Sequence, residues 1–314
     1  MKDIVVIALG GNALQKANEM PTINNQLKNA VTTSNHLVEI IKSGYRVVIT
    51  HGNGPQVGNI MLQNEISKAM VPPMPLDVCG AMTQGMIGYI MQQAMYNKIK
   101  NAGINKPVVT LVTQVEVDKN DKAFENPTKP VGPFYTKEEA EKLKTKKGYV
   151  VKEDSDRGWR RVVPSPLPQK IVEADIIKKF VNDDVIVITI GGGGIPVMKD
   201  AKGDYVGVEA VIDKDYASEK LAQELNADVL LILTAVDAVC LNYGKTDERK
   251  LRKVTATEME KYIIEGHFAD GSMLPKVEAS IRFAKSKKGR KSIITSLDNA
   301  IQGLKEEAGT IITN

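Results

Sequence analysis

Val185-Ile186-Val187-Ile188-Thr189-Ile190-Gly191-Gly192-Gly193-Gly194 is a run of strand-forming residues that stops on four glycines. Branched apolar residues at successive positions leave no polar face, the pattern of a strand covered on both sides of a sheet. Two more such runs end the same way: Ile4–Leu9 before Gly10-Gly11-Asn12, and Val47–Thr50 before His51-Gly52-Asn53-Gly54. A strand that ends in glycines and opens a helix brings backbone N–H groups close to an anion, and the helix N-terminus adds partial positive charge. One such turn has a steric explanation, since glycine also ends strands for want of a Cβ. Three in one chain predict a site that holds many phosphate oxygens.

Working outward from these turns, apolar runs alternate with helical periodicity. Strands are predicted at Ile4–Leu9, Arg46–Thr50, Val108–Val115, Val185–Ile190, Val229–Leu233, Ser292–Thr295 and Thr310–Thr313. Helices are predicted at Gln26–Lys42, Ile60–Lys68, Thr83–Lys100, Leu167–Val181, Tyr216–Leu225, Ala256–Glu265, Val277–Lys287 and, briefly, near Asn299–Glu306. Doubly buried strands separated by helices imply an α/β fold with a mainly parallel sheet covered on both faces. Ligands in such sheets bind beyond the C-terminal strand ends, where the glycine turns lie. Residues 118–166 break the pattern, being polar and rich in Lys and Glu. Tyr149-Val150-Val151, Trp159 and Arg161-Val162-Val163 favour an ordered, β-rich insertion over a disordered loop.

Composition narrows the function classes. A net charge of +4 over 314 residues, with 5% aromatics, offers neither a basic stripe nor stacking platforms for nucleic acid. The 2 cysteines, Cys79 and Cys240, are far apart; they read as buried thiols in a reducing cytoplasm rather than as a disulfide framework. Met1-Lys2-Asp3 leads straight into a strand, no run is long enough to span a membrane, and the chain ends soon after its last strand. The expectation is a soluble protein with neither a leader segment nor an appended regulatory domain.

The common nucleotide fingerprints are missing. Gly244-Lys245-Thr246 lacks the earlier glycine of a P-loop because position 239 is Val, and Gly52-Asn53-Gly54 is followed by Gly58, one residue too late for a dinucleotide loop. A nicotinamide oxidoreductase is therefore disfavoured. Lysines supply the next clue. Lys129 sits beside Pro130 in the insertion, Lys214 lies in Asp213-Lys214-Asp215 before a helix, and Lys276 follows Pro275 at another helix start. Proline suits the first helical position. A lysine in the first turn opposes the helix dipole by ~0.3–1 kcal/mol, a conflict that a bound anion removes. As surface lysines they would contribute little to folding. His36, His51 and His267 show no metal-ligand spacing, and His51 serves either packing or a ligand. Without a His base, phosphoryl transfer suits an acceptor that is already anionic, with catalysis by alignment and charge neutralisation.

These motifs resemble the amino-acid kinase family, most closely its members that phosphorylate carbamate, over essentially the whole chain. The resemblance rests on Ala8–Ala13, His51–Gly58, Pro127–Gly132, Gly191–Val197, Ala210–Asp215 and Gly271–Val277. It implies an open, mainly parallel eight-stranded sheet sandwiched by helices, one domain over 1–314 with 118–166 as a small projecting subdomain. The N-terminal half would take carbamate or carbamoyl phosphate, and residues 167–314 the nucleotide. The reaction implied is ATP plus carbamate to ADP plus carbamoyl phosphate, reversible, commonly run toward ATP in arginine breakdown. Lys129, Lys214 and Lys276 would be the catalytic cations, with Asp215 orienting them. Gly10, Gly11, Asn12, Gly52, Asn53 and Gly54 would supply N–H groups to substrate and phosphate. Gly192, Gly193, Thr234, Val236, Tyr243 and Met273 would meet the nucleotide. Mg²⁺ would ride on the nucleotide phosphates, with no metal ligands from the protein. A cytoplasmic homodimer is also implied. A non-catalytic sensor of nucleotide or acyl phosphate is the alternative class.

Overall fold

The computed structural model describes residues 3–16, 19–154 and 158–314. Met1 and Lys2, read above as the lead into the first strand, lie outside the described residues, as do 155–157 of the insertion. The main sheet has eight strands: β1 (Ile4–Leu9), β2 (Arg46–His51), β3 (Val108–Thr110), β4 (Ile186–Thr189), β5 (Val229–Thr234), β6 (Lys253–Thr255), β7 (Lys291–Ser296) and β8 (Thr310–Thr313). Their order is β6-β8-β7-β5-β1-β2-β4-β3. Every pair is parallel except β7–β8.

The helices are α1 (Ile23–Lys42), α2 (Gly54–Ser67), α3 (Leu76–Asn101), α4 (Lys137–Lys147), α5 (Ala174–Asn182), α6 (Lys214–Glu224), α7 (Ala256–Ile264), α8 (Met273–Ser286) and α9 (Ala300–Leu304). Period-2 alternation in β1 decides which core each side chain joins. Val5, Ile7 and Leu9 pack with Leu37 of α1, Ile87 and Met91 of α3 and Leu304 of α9. Ile4, Val6 and Ala8 face the opposite core, with Ile177 of α5, Leu221 of α6, Met259 of α7 and Phe283 of α8. The sheet is thus sandwiched, as its all-apolar strands require.

Three local readings are corrected. Val108–Val115 is not one strand: β3 ends at Thr110, and Gln114–Val117 joins a separate four-stranded sheet. The buried Gln84 amide of α3 causes the break. Its Oε1 accepts from the Thr113 N–H (2.7 Å), and its Nε2 donates to the Thr113 and Gly191 carbonyls. Leu167–Val181 is not one helix either. Pro168–Ile171 pairs antiparallel with Gln114–Val117, and α5 starts only at Ala174. The Glu173 carboxylate fixes that corner by accepting from the Gln114 N–H (2.8 Å) and its side-chain amide (3.0 Å). Last, Gly191–Gly194 opens a strand, Ile195–Lys199, rather than a helix. Gly192, Gly193 and Gly194 all have positive φ, which no α-helix accommodates.

The insertion forms its own sheet, in which Trp159–Val163 pairs antiparallel with both Lys129–Tyr135 and Val151–Glu153, with α4 alongside. A capping box at Thr136 and Glu139 starts α4, and Gly148 ends it at φ 66°. Val131 and Val163 of this lobe pack on Val57 and Ile60 of α2.

Candidate active site

Because β1 lies between β2 and β5, their C-terminal ends bring Gly10, Gly52 and Thr234 to one edge of the sheet. The first turn passes close under β5: a Cβ on Gly10 would sit 2.8 Å from the Leu233 carbonyl oxygen. The second turn opens α2 directly, with Pro55 in its first turn. Gly193, at φ 93°, lies where a Cβ would be 2.1 Å from the Ile212 carbonyl oxygen, so only glycine lets this loop reach the approach to α6. Asn53, which precedes α2, donates from its amide to Thr83 Oγ1 (2.8 Å).

The lysines converge beside these turns. The Asp213 carboxylate caps α6 by accepting from the Asp215 N–H at 2.9 Å, which sets Lys214 as the first helical residue. The Lys214 stem passes Gly52, and its Nζ lies 2.5 Å from Asp215 Oδ1. Lys276, on α8, reaches the other Asp215 oxygen at 2.9 Å and donates to the Ser272 carbonyl at 3.1 Å. Pro275 is the third residue of α8, not the first as its sequence suggested, a position whose N–H has no intrahelical partner anyway. Lys129 enters from the lobe and pairs with Asp213 Oδ2 at 2.7 Å. Three ammoniums facing two carboxylates leave the cluster net positive.

Asp215 is 2% exposed. Burial alone would raise its pKa, but the ammoniums of Lys214 and Lys276 outweigh that and hold it below the usual carboxylate range. His51 goes the other way. Burial pushes it down to about 4, against the Gly52 carbonyl hydrogen bond and with help from the Lys214 charge. Its Nδ1–H donates to that carbonyl at 3.0 Å. His51 is therefore a neutral packing group beneath the glycine run at neutral pH.

Two cavities meet at Lys276. The larger, about 600 Å³, lies between lobe and sheet and is lined by Gly52, Asn53, Gly54, Lys129, Lys214 and Lys276 among others. The second, about 500 Å³, is lined by Thr234, Val236, Tyr243, Phe268, Met273 and Lys276 among others. A smaller space of about 200 Å³ joins Gly10, Gly11, Thr234, Lys214 and Lys276. Lys276 lines all three. The backbone of Asn12 belongs to the 3-10 turn Gly11–Ala13 beside Gly10. Gly192 lines the larger cavity, whereas Gly193 lines none of these three and faces the Ile212 carbonyl. Two further residues of this cavity went unread as candidates. Asp213 carried a signal, an aspartate just before a helix. Arg160, from the lobe, carried none; it donates to the Gly132 carbonyl at 3.1 Å and pairs with Asp154 at 3.2 Å.

A mainly parallel sheet whose glycine turns and paired lysines face adjoining polar and apolar cavities is the architecture of a phosphotransferase. The chain matches the amino acid kinase family over residues 3–296 and belongs to it. It is 53% identical over 315 residues to a carbamate kinase of Pyrococcus horikoshii, covering 100% of both chains. It is 51% identical over 312 residues to carbamate kinase 1 of Enterococcus faecium, covering 98% of each. Among solved structures, it is similar to a carbamate kinase from Giardia lamblia bound to AMP-PNP, with 49% identity and a TM-score of 0.95 over 99% of this chain and 98% of that one.

Proposed function

We propose that this chain catalyses reversible phosphoryl transfer between ATP and carbamate, giving ADP and carbamoyl phosphate. The observation that carries this reading is Lys276, which lines both the apolar and the polar cavity and is tied through Asp215 to Lys214. The apolar cavity at Thr234, Val236, Tyr243 and Met273 suits the nucleoside. The polar one, between the glycine turns and the lobe, suits a small acyl phosphate. The γ-phosphoryl group would sit at the junction.

The chemistry needs little from the protein beyond alignment and charge. A carbamate oxygen attacks the γ-phosphorus while the bond to the ADP oxygen breaks. The acceptor is an anion, so no proton has to be removed, in keeping with a His51 that stays neutral. Lys214 and Lys276 face the charge that builds on the phosphoryl oxygens, and Lys129 faces the carbamoyl side. Each ammonium–phosphate contact near 4 Å gains about 4 kcal/mol before desolvation at an effective dielectric of 20. N–H groups of the Gly10 and Gly52 turns add oriented dipoles. Asp213 and Asp215 are both engaged by lysines, so Mg²⁺ fits as a companion of the nucleotide phosphates, where it supplies charge neutralisation.

The reading extends to the direction and setting that the family resemblance implies: ATP synthesis at the close of arginine breakdown, in the cytoplasm, by a homodimer. Buried, unpaired Cys79 and Cys240 fit a reducing compartment. No helix among the described residues is long and apolar enough to cross a membrane. The direct test is ATP formation from ADP and carbamoyl phosphate with Mg²⁺, with acetyl phosphate as the comparison donor. Rapid turnover with strong preference for carbamoyl phosphate is expected. Nucleotide binding without turnover would overturn the reading, in favour first of a kinase for acetylglutamate, glutamate, aspartate or uridylate and then of a sensor.

A further inference from the structure

One carboxylate joins two parts of the molecule that lie far apart in sequence. Asp213 Oδ1 accepts from the Asp215 N–H (2.9 Å) and caps α6, while Oδ2 pairs with Lys129 Nζ (2.7 Å), which opens the lobe strand Lys129–Tyr135. Capping alone does not need a charge. Asn, Ser or Thr serves a helix N-terminus about as well as Asp. The second oxygen and the negative charge are therefore surplus to the cap, and both go to Lys129.

We propose that Asp213 is a positioning residue that holds Lys129, and the base of the lobe with it, over the larger cavity before substrate arrives. The inference rests on the reading above only in naming that substrate as carbamoyl phosphate. An ammonium carries three N–H donors, and one contact with Asp213 leaves donors for phosphate oxygens. Both residues line the cavity. Among the described residues, two other ion pairs tie the lobe to the body, Arg161–Glu209 and Lys147–Glu65, but all four of those residues line an adjoining space of about 240 Å³ on the far side of Val131. They can hold the lobe without placing Lys129. The Lys129–Asp213 pair is the link that does so, and through the cap it fixes the lobe lysine and Lys214 to the same helix end. Preorganisation of this kind lowers the ordering cost of binding.

Asp213→Asn separates the two roles, because the amide oxygen can still cap α6 while the charge is lost. The expected result is a KM for carbamoyl phosphate raised about tenfold or more, with kcat changed by less than about threefold and ADP affinity unaltered. In the ligand-free protein, amide exchange over residues 129–135 should quicken while that over 216–224 stays as in the wild type. Adding Lys129→Met to Asp213→Asn should raise KM little beyond either single change, because the two act as a unit. A wild-type KM with unchanged exchange overturns the proposal. So does a lowered KM, which would make Asp213 a competitor for the ammonium. Faster exchange across α6 with a fall in Tm would reduce Asp213 to a cap and overturn it as well. Failure of the wild-type protein to make ATP from carbamoyl phosphate would strike the functional reading instead, and the ligand-free exchange would still decide the role of Asp213.

Discussion

Asp215 shows how one buried charge binds catalysis to stability. Its two oxygens are taken by Lys214 and Lys276, whose side chains are each only 15% exposed. The view of these lysines as surface residues with little part in folding therefore fails: removing either leaves a buried carboxylate half-paired, a loss bounded by the about 3–5 kcal/mol that a wholly unpaired buried charge costs. Lys276→Ala should lower kcat by about 10²–10³, as loss of one oxyanion donor does elsewhere, and should also lower Tm. Adding Asp215→Asn should restore Tm while leaving kcat low. Thermal unfolding of the single and double variants checks this; equal Tm losses in both would refute the account. The pH sign follows from the lowered Asp215 pKa. Its contribution is present above the unfolded carboxylate pKa and is lost as pH falls through the folded one. His51 adds to the same acid weakness. Its folded pKa of about 4 lies below its ordinary 6.5, so the unfolded chain gains a proton first and stability falls as pH drops through that window. An NMR titration should find His51 still neutral at pH 5.5, and a midpoint near 6.5 would show the ring to be solvated.

At the scale of elements, the α6–α8 contact holds a second buried acid with the opposite behaviour. Burial pushes Glu219 of α6 up to about 7, only partly offset by its hydrogen bond from Gln223 and by the charges of Arg282, Lys220 and Arg290. The native state thus keeps a proton that the unfolded chain releases near 4.5, and stability declines as pH rises from there to about 7. Glu219→Gln should stabilise the protein at pH 8, with the gain vanishing as pH falls toward 4.5. Urea unfolding at both ends of that range measures it. No gain at pH 8 would mean that Glu219 is ionised and satisfied in the fold. Elements also show where sequence reading stops. β1, β2 and β4 were legible because their apolar runs are nearly unbroken and their turns carry glycine. The corner between β3 and Gln114–Val117 was not, because the Gln84 side chain that makes it comes from a distant helix. Pro168–Ile171 reads as helix in the sequence because its β pairing with Gln114–Val117 is equally non-local. The same holds in the site. Lys214 and Lys276 announced themselves by opposing a helix dipole, whereas Arg160 sits on a short lobe strand with nothing local to mark it.

At the scale of the whole molecule, α3 asks for a partner. No residue from Val78 to Asn97 is charged. One side of the helix packs on the sheet; a Cβ on Gly88 would sit 2.1 Å from Thr110 Cγ2 of β3. The other side carries Val78, Met82, Gly85, Tyr89 and Tyr96 at the alternating four- and three-residue steps of a helix-pairing seam, with Gln92 completing the series. Met82, Tyr89 and Tyr96 are exposed by 47%, 62% and 56%. Gly85 has nothing within 4 Å of its Cβ position, which leaves room for a backbone to cross there. A helix apolar all round belongs in an interior. The seam runs most of the length of a helix of about 39 Å, and beside it β3 is the end strand of the main sheet, with Val112 exposed just beyond it. The homodimer proposed above fits this face, because a two-fold axis would lay the seam on its own copy, as an isologous contact requires. Tyr89→Lys places a charge in the seam without touching either core, so it should leave far-UV circular dichroism unchanged while converting a dimer to a monomer in sedimentation velocity. If the wild-type chain already sediments as a monomer, the homodimer is wrong. If the wild type is a dimer and Tyr89→Lys remains one, the dimer stands on some other face and α3 must be exposed for a different reason.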